Sequence, residues 1–162
     1  MATWHAFELS APAMAEAGRA LLYQFGPGLG FLATVRMDGG PRLHPICPLI
    51  VDGRLVAFIG PSPKQRDLLR DGRYALHTFP PDKVDDEFYV TGRAARVDDP
   101  ARRAAVSAAV AAQGTTHGED DVLFELDIER ALHAAYGARG PDAWPPTYTK
   151  WQDTGSAGWQ AR

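Results

Sequence analysis

The stretch of residues 41–72 constrains the fold more than any other part of this chain. Two segments rich in aliphatic residues, PRLHPICPLIV and RLVAFIG, stand on either side of Asp52-Gly53. An Asp-Gly pair between two such segments favours a type I′ turn, because both central positions of that turn need positive φ. The pattern therefore predicts two antiparallel strands joined by a tight hairpin.

A short helix is predicted directly after this hairpin, over residues 63–71. Ser62 is a favourable N-cap, Pro63 suits the first helical position, and Gln65 completes a capping box. Gly72 can end the helix, because glycine readily adopts the left-handed conformation that follows a helix. Local chemistry alone thus predicts the order strand, hairpin, strand and helix.

The amino end of this helix is a candidate phosphate site. Free backbone N–H groups and the helix dipole attract anions there, and the hydroxyl of Ser62 adds a donor. Lys64 and Arg66 place two cations in the first turn, where positive charge is unfavourable unless an anion is bound. Arg42, on the strand before the hairpin, could reach the same place. An ordinary solvated basic turn is the alternative, and local chemistry does not decide between the two.

The other periodic segments predict a mainly β (α+β) chain with flanking helices. They indicate helices over residues 11–25, with Ser10 as the cap, and over residues 100–113. They also indicate further strands over residues 30–37, 73–79, 88–97 and 122–128, the last of which continues toward residue 136. With the two hairpin strands these make six. Gly92 indicates a bulge or a close approach of another chain segment. Because short turns join most of the strands, antiparallel pairing and a small barrel are expected.

Both ends of the chain carry aromatic residues. Residues 1–9 are expected to form an extended arm, from which Trp4 and Phe7 pack on the body of the protein or on a partner chain. The tail is expected to be loop-like, and its aromatic residues indicate burial on the barrel, on a second subunit or in a ligand cavity; they are Trp144, Tyr148, Trp151 and Trp159. The chain is expected to be a single domain, with the arm and first helix at 1–29, the barrel at 30–136 and the tail at 137–162.

Composition limits the classes of partner. The formal net charge of −3 gives no reason to expect nucleic acid or an anionic membrane as a partner. The only cysteine, Cys47, excludes a disulfide within the chain and is consistent with a reducing compartment. Because the sequence shows neither a signal peptide nor an apolar segment long enough to cross a membrane, a cytoplasmic location is expected.

Three other kinds of site are alternatives to the phosphate site: a metal centre, a nucleophilic cysteine and a haem site. Metal binding is not expected, since His44 and Cys47 form an isolated pair and a zinc site needs three or four converging ligands. Cys47 stands in an apolar strand, which favours a buried and inert thiol over a nucleophile. His44 or His117 could ligate a haem iron, although nothing in the sequence selects that cofactor.

Three segments in order carry a resemblance to a known family: LATVRMDGGPRLHPI, DGRLVAFIGPSPKQRDLLRDGRYAL and FYVTGRAARVDD. Over residues 30–98 the chain resembles the pyridoxamine 5′-phosphate oxidase-like family, the FMN-binding split β-barrels. The resemblance implies a six-stranded antiparallel split β-barrel that forms a homodimer and binds FMN at the interface.

The resemblance also implies the site residues. Arg42 and Lys64 would hold the FMN phosphate, with Ser62 completing the turn and Arg66 as a further candidate. The flavin ring would lie along His44, Pro45 and Ile46 and face Phe58 and Ile59. Glu87 stands near a position from which family members contact the flavin across the dimer interface.

Departures from the family pattern limit the expected activity. Cys47 and Pro63 replace a lysine and an arginine of the oxidases, and their C-terminal Arg/His signature for the vitamer phosphate is absent. The expected function is a flavin-dependent oxidoreductase that exchanges hydride with a small organic substrate and is not a true pyridoxamine phosphate oxidase. His44 is the nearest candidate for a general acid. The deazaflavin coenzyme F-420 is an alternative cofactor, and a non-catalytic flavin, deazaflavin or haem carrier is the alternative function.

Overall fold

Residues 1–82, 84–136 and 144–156 are described by the computed structural model. Trp159 of the aromatic tail lies outside them. The helices are α1 Trp4–Ser10, α2 Pro12–Leu22, α3 Pro63–Arg70 and α4 Pro100–Ala112. The strands are β1 Gly30–Val35, β2 Pro41–Ile46, β3 Leu49–Val51, β4 Arg54–Ile59, β5 Arg73–Thr78, β6 Glu87–Arg96, β7 Val122–Ala135 and β8 Thr147–Gln152.

The eight strands of the described ranges form one antiparallel sheet. Seven of them follow the order β2-β1-β5-β6-β7-β4-β3, and β8 pairs with the distal half of β7. The two end strands, β2 and β3, are consecutive in the chain and joined only by Cys47 and Pro48. Three residue steps span at most roughly 11 Å, so the sheet must curl until its ends meet. The fold is therefore a split β-barrel, as expected.

The number of strands differs from the expected six. PRLHPICPLIV forms two strands, because Pro48 lacks an N–H group and the chain passes there from one end of the sheet to the other. The eighth strand comes from the tail, where a loop was expected. Trp151 of β8 lies with its ring 5.0 Å from that of Phe7 and donates from Nε1 to the hydroxyl of Ser10. The tail therefore packs on the body of the same chain at this point.

Local turn and cap chemistry is confirmed around α3. Asp52 and Gly53 have φ angles of 49° and 70°, as a type I′ turn requires. The hydroxyl of Ser62 accepts a hydrogen bond from the backbone N–H of Gln65 at 3.3 Å, and Pro63 is the first helical residue. The helix therefore begins where its cap residues predict. The capping box is not completed, because the side chain of Gln65 donates from Nε2 to the carbonyl oxygen of Ile59 at 2.8 Å.

A bulge in β6 is confirmed at Gly92. The register between β6 and β7 shifts between Thr91 and Gly92. A Cβ atom at Gly92 would lie 1.9 Å from the carbonyl oxygen of Asp127. Glycine is needed there because the neighbouring backbone occupies the space of a side chain.

The amino-terminal segment forms a helix, so the prediction of an extended arm is wrong. Thr3 caps α1, and the side chains of Trp4 and Phe7 are buried in the main core. Both rings pack against Phe88 of β6. The predicted cap of α2 by Ser10 is wrong, because the hydroxyl of Ser10 donates to carbonyl groups of α1 and α2 begins after Ala11 without a side-chain cap.

Among the described residues no helix combines the length and the apolar character that crossing a bilayer would require.

Candidate functional site

A cleft with one apolar wall and one largely polar wall opens beside the amino end of α3. Its volume is about 280 Å³, close to the lower end of typical ligand pockets. One wall comes from the ends of β2 and β4, and the other comes from the end of α4 and the loop that follows. The lining residues are Pro27, Pro45, Ile46, Cys47, Leu49, Phe58, Ile59, Gly60, Lys64, Val110, Gln113, Thr115, Thr116, His117 and Asp121.

Lys64 supplies a positive charge to this cleft. Its Nζ donates to the carbonyl oxygen of Pro45 at 3.2 Å, and no carboxylate forms an ion pair with it within the described ranges. Burial lowers the pKa of Lys64, because removing an ammonium group from water disfavours its charged form. A bound anion would restore the stability of that charge.

His117 forms the wall opposite the strands. Its ring is stacked on that of Phe58, with 3.8 Å between centroids and 10° between planes. Its Nε2 lies 2.8 Å from the hydroxyl of Ser107, and its Nδ1 lies 3.0 Å from the carbonyl oxygen of Gly118. The guanidinium of Arg103 lies 4.9 Å from the centroid of the Phe58 ring. His117 therefore covers one face of the Phe58 ring.

A second, wider cavity of about 630 Å³ lies on another face of α3. The side chains around it come from α3, from β2 and from the turn between β1 and β2, and we call it the arginine cavity. They are Arg36, Met37, Asp38, Arg42, Pro63, Arg66, Asp67 and Arg70.

The buried carboxylate of Asp67 organises the floor of the arginine cavity. It accepts hydrogen bonds from Arg42 Nε at 2.7 Å, Thr34 Oγ1 at 3.0 Å and Arg70 at 3.2 Å. Burial alone would raise the pKa of Asp67, but these donors outweigh it and hold the pKa below its usual range. Asp67 is therefore charged at neutral pH.

The structure brings five of the expected site residues into the cleft and places the others elsewhere. Pro45, Ile46, Phe58, Ile59 and Lys64 line the cleft together. Arg42 and Arg66 line the arginine cavity instead. His44 and Glu87 line neither of these two cavities. The hydroxyl of Ser62 is engaged in the cap of α3 and also donates to the carbonyl oxygen of Gly60 at 2.9 Å.

Sequence reasoning missed most of the wall formed by residues 113–121. The sequence predicts the end of a helix at residue 113 and a strand from residue 122, and no hydrophobic period marks the segment between them as part of a site. The pairing of Ile59 with Val122 explains its position, because residues just before Val122 must then lie beside the turn into α3. Cys47 is exposed, so the prediction of a buried thiol is wrong.

The sequence of this chain matches a known protein family. A family model described as pyridoxamine 5′-phosphate oxidase matches residues 14–134. Because this match covers most of the chain, the protein belongs to the pyridoxamine 5′-phosphate oxidase family. No curated protein shows significant sequence similarity to it.

Solved structures with the same fold include proteins of several kinds. A haem-binding protein from Mycobacterium smegmatis has a TM-score of 0.62 at 20% identity, over 84% of this chain and 57% of that one, so the chain spans little more than half of that protein. PhzG from Burkholderia lata 383, solved with tetrahydrophenazine-1-carboxylic acid, has a TM-score of 0.61 at 16% identity, over 94% of this chain and 89% of PhzG. The haem storage protein HutZ from Vibrio cholerae has a TM-score of 0.57 at 15% identity, over 74% of this chain and 89% of HutZ. At identities this low, the structural similarity establishes a shared fold alone.

Proposed function

We propose that this protein is a flavin-dependent oxidoreductase that binds FMN in the cleft and exchanges hydride with a small organic substrate. The observation that carries the proposal is Lys64, a partly desolvated cation with no ion-pair partner in the described ranges, beside the apolar wall of the cleft. A flavin phosphate would supply the negative charge to pair with this ammonium group. A flavin ring would supply an apolar surface to pack against the apolar wall.

The residues of the cleft divide into two roles. Lys64 and the amino end of α3 would hold the phosphate, and Pro45, Ile46 and Ile59 would contact the ring. The bound flavin supplies hydride exchange at its N5 atom, and the chain supplies binding and orientation. Arg42 and Ser62 stay predicted phosphate ligands, although both already have partners within the chain. The deazaflavin coenzyme is the alternative cofactor for the same groups.

A homodimer is part of the proposal. The edge strand β2 carries Leu43 with 63% of its surface exposed, and Met37 in the preceding turn is 85% exposed. A second copy covering this edge would bury both side chains and add a wall beside Pro45. A cytoplasmic location is also proposed and is supported by the single cysteine.

The test compares FMN with riboflavin, which has the same ring and no phosphate. Both are titrated into the wild-type protein and into Lys64→Ala, with Lys150→Ala as a control of equal charge change on the exposed strand β8. Losing a charge-assisted phosphate contact costs about 1–3 kcal/mol, which is about 5- to 150-fold in Kd. We expect that loss for FMN in Lys64→Ala alone, with riboflavin affinity unchanged.

Other results would contradict the proposal. Equal FMN affinity in Lys64→Ala and wild type would remove Lys64 from the phosphate site. Saturable FMN binding without reduction of any acceptor by the reduced protein would favour a flavin carrier over an enzyme.

A haem carrier is the second candidate function. His117 supports it, because this imidazole lines the cleft and could reach an iron there after releasing Ser107. The haem-binding protein and HutZ share the fold. Absorbance spectra separate the two candidates, since haem gives an intense Soret band and flavin does not.

A further inference from the structure

The imidazole of His117 covers an aromatic face that the cleft could otherwise offer to a ligand. Its ring centroid lies 3.8 Å from that of Phe58, with 10° between the two planes, so the rings are in van der Waals contact face to face. Phe58 also lines the cleft, and an aromatic side chain can hold another planar ring by stacking. His117 thus occupies the place on Phe58 that a planar ligand ring would take.

The segment that carries His117 lies mostly in solvent. Residues 111–116 and 118–120 are exposed, whereas His117 itself is half-buried. The hydrogen bonds of its backbone are local: the N–H of Thr115 bonds to the carbonyl oxygen of Val110 in α4, and the N–H of Gly118 bonds to the carboxylate of Asp121. Stacking on Phe58 is therefore the contact that fastens this segment to the sheet.

Residues 114–118 have a fixed point on either side. After them, Arg103 of α4 donates to the carbonyl oxygens of Asp121 at 2.8 Å and Glu119 at 3.4 Å. Before them, Gly114 follows the end of α4 with a φ of 70°, a conformation that favours glycine. Nothing in the described part of the chain would lie within 4 Å of a Cβ atom at Gly114. Residues 114–118 can therefore swing between these points while α4 stays in place.

The polar groups that His117 contacts keep other partners when it moves away. The hydroxyl of Ser107, 2.8 Å from Nε2, also donates to the carbonyl oxygen of Arg103 at 2.8 Å. The carbonyl oxygen that lies 3.0 Å from Nδ1 belongs to Gly118, which is exposed to water. The main loss is thus the stacking contact with Phe58, which an incoming planar ring replaces.

We propose that residues 114–118 form a lid on the cleft, which is closed by the stacking of His117 on Phe58 and opens when a flavin ring takes that place. The identity of the ligand rests on the proposed function, but the lid can be measured in the protein alone. With the lid closed the cleft has about 280 Å³, just below the usual range of about 300–1,000 Å³. Opening enlarges the cleft and adds the face of Phe58 to its apolar wall.

Flavin titrations of His117→Ala, Phe58→Leu and the double variant test the competition for Phe58. Removing His117 should tighten the binding of FMN and of riboflavin alike by about 2- to 10-fold, because no closed state then has to be opened. Phe58→Leu should weaken both, and His117→Ala should have no further effect in the Phe58→Leu background. His5→Ala, at an exposed histidine of α1, is the control and should leave both affinities unchanged.

Hydrogen exchange, followed by mass spectrometry, tests the lid in the protein alone. We expect His117→Ala to raise the exchange rate of residues 114–118 several-fold and to leave α4 and β4 at their wild-type rates. His5→Ala should match the wild type throughout.

Results of either kind can overturn the proposal. Unchanged or weaker flavin binding in His117→Ala would make His117 a fixed wall of the cleft. Exchange that is unchanged over residues 114–118, or that rises equally in α4 and β4, would show that His117 does not close a separate lid. If no flavin binds to any of these proteins, the proposed function fails, while faster exchange confined to residues 114–118 would still support the lid.

Discussion

The guanidinium of Arg42 is held by the buried carboxylate of Asp67, with 2.7 Å between Nε and Oδ2. Thr34 and Arg70 donate to the same carboxylate, so one side chain links β1, β2 and α3. The residue that the family resemblance assigns to the cofactor phosphate is thus also part of the internal structure. Any phosphate contact from Arg42 must use its two terminal nitrogens.

Replacing Asp67 with asparagine tests this link. The variant keeps the shape and loses the charge that Arg42 and Arg70 face, so we expect a loss of about 1–3 kcal/mol in the free energy of unfolding at pH 7. Urea unfolding measures it. Asp38→Asn, the same change at an exposed turn, should stay within about 0.5 kcal/mol. Equal effects of the two variants would contradict the role of Asp67.

The pH dependence of that difference has a definite sign. The pKa of Asp67 is lower in the folded protein than its ordinary value. Its charge therefore stabilises the fold fully above the unfolded pKa of about 3.9, and the stabilisation is lost as the pH falls through the folded pKa. The stability difference between wild type and Asp67→Asn should accordingly shrink below about pH 4.

Features that depend on neighbours along the chain could be predicted from the sequence. The Asp52-Gly53 turn, the cap at Ser62 and the bulge at Gly92 each follow from the conformational preference of one or two residues. Part of the cleft lining was predicted, because the family resemblance places Pro45 and Phe58 against the same ligand ring. The spacing of Lys64 and Arg66 on one helix could also have indicated that they face different cavities.

Features that depend on distant contacts could not be predicted. The seven residues of α1 are too few to form a stable helix alone, and Trp4 and Phe7 become helical because the core of the barrel buries them. The sequence of β8 alone predicts a loop, and the segment becomes a strand because it pairs with β7. His117 reaches the cleft only because β4 and β7 pair. Each of these outcomes depends on tertiary packing.

Phe7 should contribute more to stability than any exposed apolar residue of the same helix. Its side chain is fully buried and contacts Phe88 and Trp151, whereas Leu9 is 71% exposed. We expect Phe7→Ala to cost about 3–5 kcal/mol in the free energy of unfolding. Leu9→Ala should change it by less than about 0.5 kcal/mol. Equal urea midpoints for the two variants would show that α1 is not part of the core.

The two candidate haem ligands can be separated with haemin. His117 lines the cleft and His44 does not. If the cleft accepts haem, the shift of the Soret band that marks an axial imidazole should disappear in His117→Ala and persist in His44→Ala. The same spectra serve as a control for the flavin proposal, since no saturable Soret change is expected if the cleft accepts flavin alone. A shift lost in His44→Ala would place haem outside this cleft.

Lys64 should make FMN affinity sensitive to alkaline pH. Because burial lowers its pKa, the ammonium loses its proton at a lower pH than an ordinary lysine does, and its attraction for phosphate is lost with that proton. We expect the Kd for FMN to rise over the alkaline range below the ordinary lysine pKa of about 10.4 in the wild-type protein. In Lys64→Arg the guanidinium stays charged, so the Kd should be nearly constant over that range. Riboflavin reports any change in ring binding or in the fold, and a parallel rise of its Kd in the wild type would show that Lys64 is not the titrating group.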